Sequence, residues 1–311
     1  MVAQDIDSKQ KAGVHSVDHY ALDVPDLETA KRFYQDFGLD VQEIDHGLAL
    51  RTFNDPHVWA YLYAGEKKRL NKIAFGTFAE DMARLRAQVE AAGCDVLPID
   101  GMSLEQGFHF IDPDGVNIDV LVCQKVTPYE KGATVGVHGE GTRGAPYRKD
   151  VPIIHPQRLS HILIFTSDIE RSIHFYEDAL GLRLSDYSKD AVAFLHAIHG
   201  ADHHTIAFAQ STAKGFHHSS WDVACVDEIG IGAKNMMDHG WTKGWGVGRH
   251  VLGSNYFYYV RDPWGSYCEY SYDIDFIPAG VKWEAGTHPP EDSLYLWGPD
   301  VPEDFVQNFE A

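Results

Sequence analysis

The chain repeats itself. SVDHYALDVPDLETAKRFYQDFGLDV, beginning at Ser16, and RLSHILIFTSDIERSIHFYEDALGLRL, beginning at Arg158, place a histidine, an Asp-led run and a Phe-Tyr pair in the same order. His19 and His161 lie 142 residues apart, as do Phe33 and Phe175. Further on, GFHFIDPDGVNIDVLV answers FYYVRDPWGSYCEYSY, with Asp112-Pro113 and Asp262-Pro263 150 residues apart. A unit of about 110 residues present twice requires two domains of one topology, each closing its own core.

Each copy has the same internal order. A period-two strand (Val17 to Val24; Leu159 to Phe165) leads to an Asp-capped helix (Asp26 to Phe37; Asp168 to Leu180), which Gly38 or Gly181 stops. Three short strands follow. The pattern then restarts with a strand at Lys72 to Phe75 and a helix at Met82 to Ala92, or with a strand at His218 to Cys225 and a helix at Glu228 to His239. An Asp-Pro-x-Gly turn joins the last two strands. Each copy is thus two βαβββ modules, an α+β fold. The expected layout is an N-terminal domain over 1–123, a Gly- and Pro-rich linker over 124–157, a second domain over 158–273, and a tail over 274–311. The tail carries Trp283, Tyr295 and Trp297, aromatic enough to pack over a pocket mouth as a lid.

Composition narrows the function classes. With 16 Phe, 15 Tyr and 7 Trp among 311 residues, the chain can bury a sizeable core. A net charge of −20 repels nucleic-acid phosphates and anionic lipid, so neither nucleic acid nor membrane is an expected partner. The start, MVAQDIDSKQKAG, has no apolar leader. Cys94, Cys123, Cys225 and Cys268 form no CxxC pair, which fits free thiols in a cytoplasmic protein. Of the 18 histidines, only His15, His19, His46 and His57 precede residue 100.

That asymmetry points to chemistry in the second copy. One face of its first strand reads Leu159, His161, Leu163, Phe165; its last strand sets Glu269 between Tyr267 and Ser271; a third strand opens with His217-His218. A carboxylate inside a fold needs a cation partner. Two neutral imidazoles and one carboxylate on the inner face of a curved sheet would hold a divalent metal facially and leave positions open, the ligand set of non-haem Fe(II) oxygenases. A single histidine on an apolar face is more often a satisfied core residue, and a strand glutamate more often faces water. The first copy has His19, Lys72 and Asp119 at the matching places, and a lysine charge repels a metal. The first domain is therefore expected to be metal-free.

RLSHILIF, DHHTIAFA, FHHSSWDVA and GRHVLGSNYFYYVRDPWGSYCEYSY together resemble the type I extradiol catechol dioxygenases of the vicinal-oxygen-chelate superfamily, over about residues 14 to 300. The resemblance implies two homologous barrel-like domains, with His161, His218 and Glu269 as the Fe(II) ligands. It implies His204 as the active-site acid/base, and His250 and Tyr259 as groups that hydrogen-bond the substrate. His203 and His217 fall beside these as supporting or structural residues, and His217 is the alternative ligand. Val251-Leu252-Gly253 stands where the biphenyl-diol branch has an Asn-Asp pair, so the chain looks nearer the branches acting on single-ring catechols such as homoprotocatechuate or trihydroxytoluene. Trp245 stands about where that branch has an arginine. Leu163, Trp245, Leu252 and Asn255 are then the expected substrate-binding residues, for an apolar or methyl-substituted ring. The implied activity is meta cleavage of a catechol with O2 by a homo-oligomer. The alternatives are a glyoxalase-type metal isomerase or lyase, and a non-catalytic ligand-binding protein on the same fold.

Overall fold

The computed structural model describes residues 12–132 and 140–311. Residues 1–11 of the start read above, and 133–139 of the linker, lie outside the described residues. The first domain runs β1 (Ser16–Val24), α1 (Leu27–Asp36), β2 (Asp40–Ile44), β3 (Gly47–Thr52), β4 (Asp55–Ala64), then β5 (Arg69–Thr77), α2 (Ala79–Ala91), β6 (Leu97–Pro98), β7 (Gly107–Ile111), β8 (Asn117–Val122). The second runs β9 (Arg158–Thr166), α3 (Ile169–Leu180), β10 (Arg183–Ser188), β11 (Val192–His196), β12 (Ala201–Asp202), β13 (Ile206–Gln210), then β14 (Gly215–Asp222), α4 (Val226–Asp238), β15 (Gly244–Arg249), β16 (Tyr256–Arg261), β17 (Tyr267–Tyr272). Two short strands, β18 (Phe276–Ile277) and β19 (Gly286–His288), belong to the tail. This is a mixed α+β fold of repeated βαβββ modules. Among the described residues no helix is long and apolar enough to cross a membrane.

The two large sheets share one order. The first is β2-β3-β4-β1-β5-β8-β7-β6 and the second β15-β16-β17-β14-β9-β13-β11-β10, extended at one edge by β19. In each domain the opening strands of the two modules pair antiparallel at the centre, β1 with β5 and β9 with β14. Each sheet is open at its edges, so the barrel-like expectation holds as a curled sheet. Opposite faces of β9 pack different groups. Ile162 and Ile164 join the core beneath the helices, while Leu163 and Phe165 join Val192, Phe194, Ala207, Ala209 and Leu252 on the concave side.

Two β-bulges set which side chains reach the concave side. Opposite β14, Ser220 pairs with His161 but Trp221 pairs with Leu159, which leaves Ser160 as an extra residue. Leu159 therefore sits in the helix-side core, off the face it shares with His161 in a regular strand. Farther along, Phe216 pairs with Ile164 and His218 with Leu163, which leaves His217 extra. The first domain carries both bulges, at Asp18 and Asn71. The repeat is thus a repeat of register: Lys72 lies opposite Ala21 as His218 lies opposite Leu163.

Local signals account for the helix ends. The Asp26 carboxylate accepts from the N–H groups of Glu28 and Thr29, that of Asp168 accepts from Arg171, and Gly181 takes a left-handed conformation at φ 68°. The second helix of each domain starts earlier than the periodicity predicts, at Ala79 and Val226, and neither has a side-chain cap to mark it. The strand expected over His218 to Cys225 lies instead at Gly215–Asp222, because its pairing with β9 sets Gly215 opposite Phe165 and Asp222 opposite Arg158.

The domains pack on each other through polar anchors as well as rings. Phe37 stacks on Tyr270 with centroids 4.0 Å apart, and the Tyr270 hydroxyl donates to the Phe37 carbonyl at 2.8 Å. The last residues of the tail close the same seam. Glu310 meets Lys68 at 2.5 Å and accepts from the N–H groups of Leu70 (2.8 Å) and Phe216 (3.0 Å), while Lys68 donates to the Phe216 carbonyl at 2.9 Å. Both side chains are buried. Removing one partner of a buried pair leaves the other uncompensated, so Lys68→Ala is expected to destabilise the protein by about 3–5 kcal/mol. Chemical denaturation measures this, and the loss in Lys68→Ala/Glu310→Ala should fall short of the sum of the single losses.

Candidate active site

Three adjacent strands bring three side chains to one point. His161 comes from β9, His218 from β14 and Glu269 from β17. The two Nε2 atoms lie 3.4 Å apart, and Glu269 Oε2 lies 3.4 Å from His161 and 3.7 Å from His218. A triangle of those sides has a centre about 2 Å from every corner, the length of a metal–nitrogen or metal–oxygen bond. Glu269 is fully buried, and its Oε2 has no hydrogen-bond partner. An unpaired anionic oxygen at that depth is costly unless a cation meets it, so the residues fit a divalent metal. Burial raises the Glu269 pKa, but the neighbouring His161, His250 and His218 outweigh it and hold the carboxyl well below its usual range. Asn255 donates to Oε1 at 3.1 Å and fixes the other half of the carboxylate.

The ring nitrogens are ordered from behind. Ser160 donates to Asp202 at 2.9 Å, so its oxygen is left to accept from His161 Nδ1 at 3.2 Å. That places the His161 proton on Nδ1 and the lone pair on Nε2. Asp202 is itself held by Arg158 at 2.7 Å.

His204, in the connection between β12 and β13, stands with its ring 3.9 Å from that of His161. Burial, then the neighbouring His161, His203 and His218, hold its pKa well below the ordinary value, so the ring is neutral near pH 7. His250, just after β15, accepts from the Tyr259 hydroxyl at 3.0 Å, since its Nδ1 donates to the Leu294 carbonyl. Burial and the Glu269 charge push the Tyr259 phenol well above its usual value, so it stays a donor.

These groups face a cavity of about 300 Å³ whose apolar walls include Leu163, Val192, Phe194 and Leu252, with Leu294 and Phe305 from the tail. The tail thus forms part of the wall through Leu294 and Phe305, whereas Trp283, Tyr295 and Trp297, the residues that suggested a lid, are not among the lining residues. Of the expected substrate-binding residues, Leu163 and Leu252 line the cavity. Asn255 lines it too, but its amide nitrogen is committed to Glu269 and to Ser271 at 2.9 Å. Trp245 does not line it. Its ring stacks behind Tyr259 at 5.6 Å and its Nε1 donates to the Pro299 carbonyl at 2.9 Å. Its place in the sequence identifies a strand position, but the ring points into the tail-side core. The Leu294 and Phe305 carbonyls leave no sequence signature, whereas Ser160 and Asp202 were within reach through their nearness to His161 and His204.

At the matching place in the first domain, Lys72 Nζ lies 2.8 Å from Asp119 Oδ2, and His109 Nδ1 lies 2.8 Å from Asp119 Oδ1. An ammonium thus stands where His218 stands in the second domain.

Residues 16–120 and again 158–270 match the Glyoxalase/Bleomycin resistance protein/Dioxygenase superfamily. The chain is 51% identical over 306 residues to "Metapyrocatechase 2" of Cupriavidus necator, covering 98% of this chain and 95% of that protein. Among solved structures it resembles the Mn(II)-bound glyoxalase from Novosphingobium aromaticivorans, with TM-score 0.72 and 27% identity over 96% of this chain and 97% of that one. BphC, described as a halotolerant catechol dioxygenase, shares the fold at TM-score 0.76 and 19% identity, over 96% of this chain and 98% of that one. With one match per repeat and half of its residues shared with a full-length relative, the chain belongs to the Glyoxalase/Bleomycin resistance protein/Dioxygenase superfamily.

Proposed function

We propose that this protein is an extradiol dioxygenase that uses Fe(II) to insert both atoms of O2 into a substituted single-ring catechol. The ring bond beside the two hydroxyls breaks, and a muconic-semialdehyde-type product forms. The observation that carries the reading is the buried triangle of His161, His218 and Glu269 opening onto an apolar cavity that also holds His204, His250 and Tyr259. Two imidazoles and a carboxylate on one side of a metal are the ligand set of non-haem Fe(II) oxygenases, which favours iron over manganese. The 51% identity to "Metapyrocatechase 2" supports the same activity. The histidines around the triangle favour it over the glyoxalase reading. The Lys72–Asp119 pair supports assigning the metal to the second domain alone.

Bound iron supplies charge that acidifies the catechol hydroxyls and a path for electrons from ring to O2. The rest falls to the chain. The apolar walls hold the ring and exclude water. His204 presents a neutral ring beside His161, placed to take a hydroxyl proton and return it as the ring opens. Tyr259 donates toward the ionised catechol oxygen in place of its resting partner, His250, which in turn fixes the ring's orientation. The free cysteines support placing the protein in the cytoplasm.

The test is anaerobic loading with Fe(II), then oxygen and a methyl-substituted catechol. Oxygen uptake with the yellow semialdehyde is expected, and His218→Ala should abolish both. No uptake across a catechol panel with iron bound would overturn the reading. His204→Asn, with the metal set intact, is expected to lower kcat about 10²–10⁴-fold while the iron content is kept. Steady-state kinetics beside metal analysis decides this.

A further inference from the structure

We propose that the two His-His pairs, His203-His204 and His217-His218, are tautomer-setting wires. In each, an outer histidine dictates which nitrogen its inner neighbour offers to the cavity. The inference rests on the dioxygenase reading for the role of His204 only.

Each wire starts at an acceptor that cannot donate. His217 Nε2 lies 2.8 Å from the Phe305 carbonyl oxygen, so that nitrogen carries the proton. Its Nδ1 is then an acceptor, 2.7 Å from His218 Nδ1, which must donate. His218 Nε2 is left with its lone pair, and it is the atom aimed at His161 and Glu269. The other pair repeats the logic. His203 Nε2 donates to Asp186 Oδ2 at 2.7 Å, and His203 Nδ1 accepts from His204 Nδ1 at 3.1 Å. His204 Nε2 is thereby kept as the acceptor.

Consecutive residues in a regular strand point to opposite faces, so two adjacent rings could not meet this way. The bulge at His217 lets the first pair share a face, and the irregular stretch between β12 and β13 does so for the second. Both anchors depend on the tail. Phe305 belongs to it, and Asp186 is held by the Gly286 N–H at 2.9 Å and by His288 at 2.6 Å. His203 and His217 are thus positioning residues.

The test replaces each outer ring in the full chain. Affinity for Mn(II), measured by competition with a chelator, reads the His217 wire without turnover. His217→Phe is expected to lower it about 10–100-fold, while His217→Asn, whose amide oxygen can accept the His218 proton, stays within about threefold of wild type. His203→Phe is expected to lower kcat for catechol cleavage at least about tenfold with KM and Mn(II) affinity unchanged, and His203→Asn to recover most of it. Equal losses in the Phe and Asn variants at either position overturn the proposal, because packing alone is disturbed in both. If the Phe variants do not fold, nitrogen-15 spectra of the histidine-labelled wild-type chain decide. Protons are expected on Nε2 of the outer rings and Nδ1 of the inner rings, and the opposite tautomer at either inner ring overturns it. A wild type that binds Mn(II) but cleaves no catechol removes the dioxygenase reading and leaves the His217 affinities to judge the wires.

Discussion

A carboxylate at zero exposure, in the middle of a sheet, is the constraint that organises this molecule. Glu269 has one oxygen tied to Asn255 and one with no partner. The free-energy cost of leaving that charge alone inside a fold is several kcal/mol, so the surrounding strands must deliver positive charge to it. The repeat shows two solutions on one backbone. In the first domain a lysine ammonium reaches the equivalent Asp119 directly. In the second, two imidazoles stand where a cation could be shared by all three groups. At the register position shared by Lys72 and His218, lysine gives an ion pair and histidine completes a set of residues that fits a metal.

The bulges make that exchange possible. They occur at corresponding places in both domains, so they belong to the shared topology and not to the chemistry of one copy. In the first domain the extra residues are Asp18 and Asn71, which spend their side chains on local hydrogen bonds to His19 and Asp23. In the second they are Ser160 and His217, and each lies against a proposed metal ligand. A distortion inherited by both copies has become, in one of them, the means of setting two imidazole tautomers.

The parts of the fold that repeat, alternate or cap were legible in the sequence. The 142-residue spacing set the domain count, Asp26 and Asp168 marked helix starts, and the strand context of His161, His218 and Glu269 brought them to one point. What escaped were features without a local code. A bulge adds no characteristic residue, so Leu159 was assigned to the wrong face and the choice between His217 and His218 needed more than spacing. Trp245 was placed correctly along the chain but not in space, because the tail competes with the cavity for its ring. Backbone carbonyls such as those of Phe305 and Leu294 carry no residue-type signal at all.

The tail joins these strands of argument. Its last turn is clamped between the domains, with Glu310 held by Lys68 and by backbone groups of both halves. Five residues earlier, Phe305 lends its carbonyl to His217 and its ring to the cavity wall. The first domain therefore still reaches the candidate metal site of its neighbour, because Lys68 holds the tail segment that contacts His217. This gives the first domain a physical reason to persist beside a candidate site that lies in the second. Interdomain packing and ligand geometry are in this way consequences of one set of contacts.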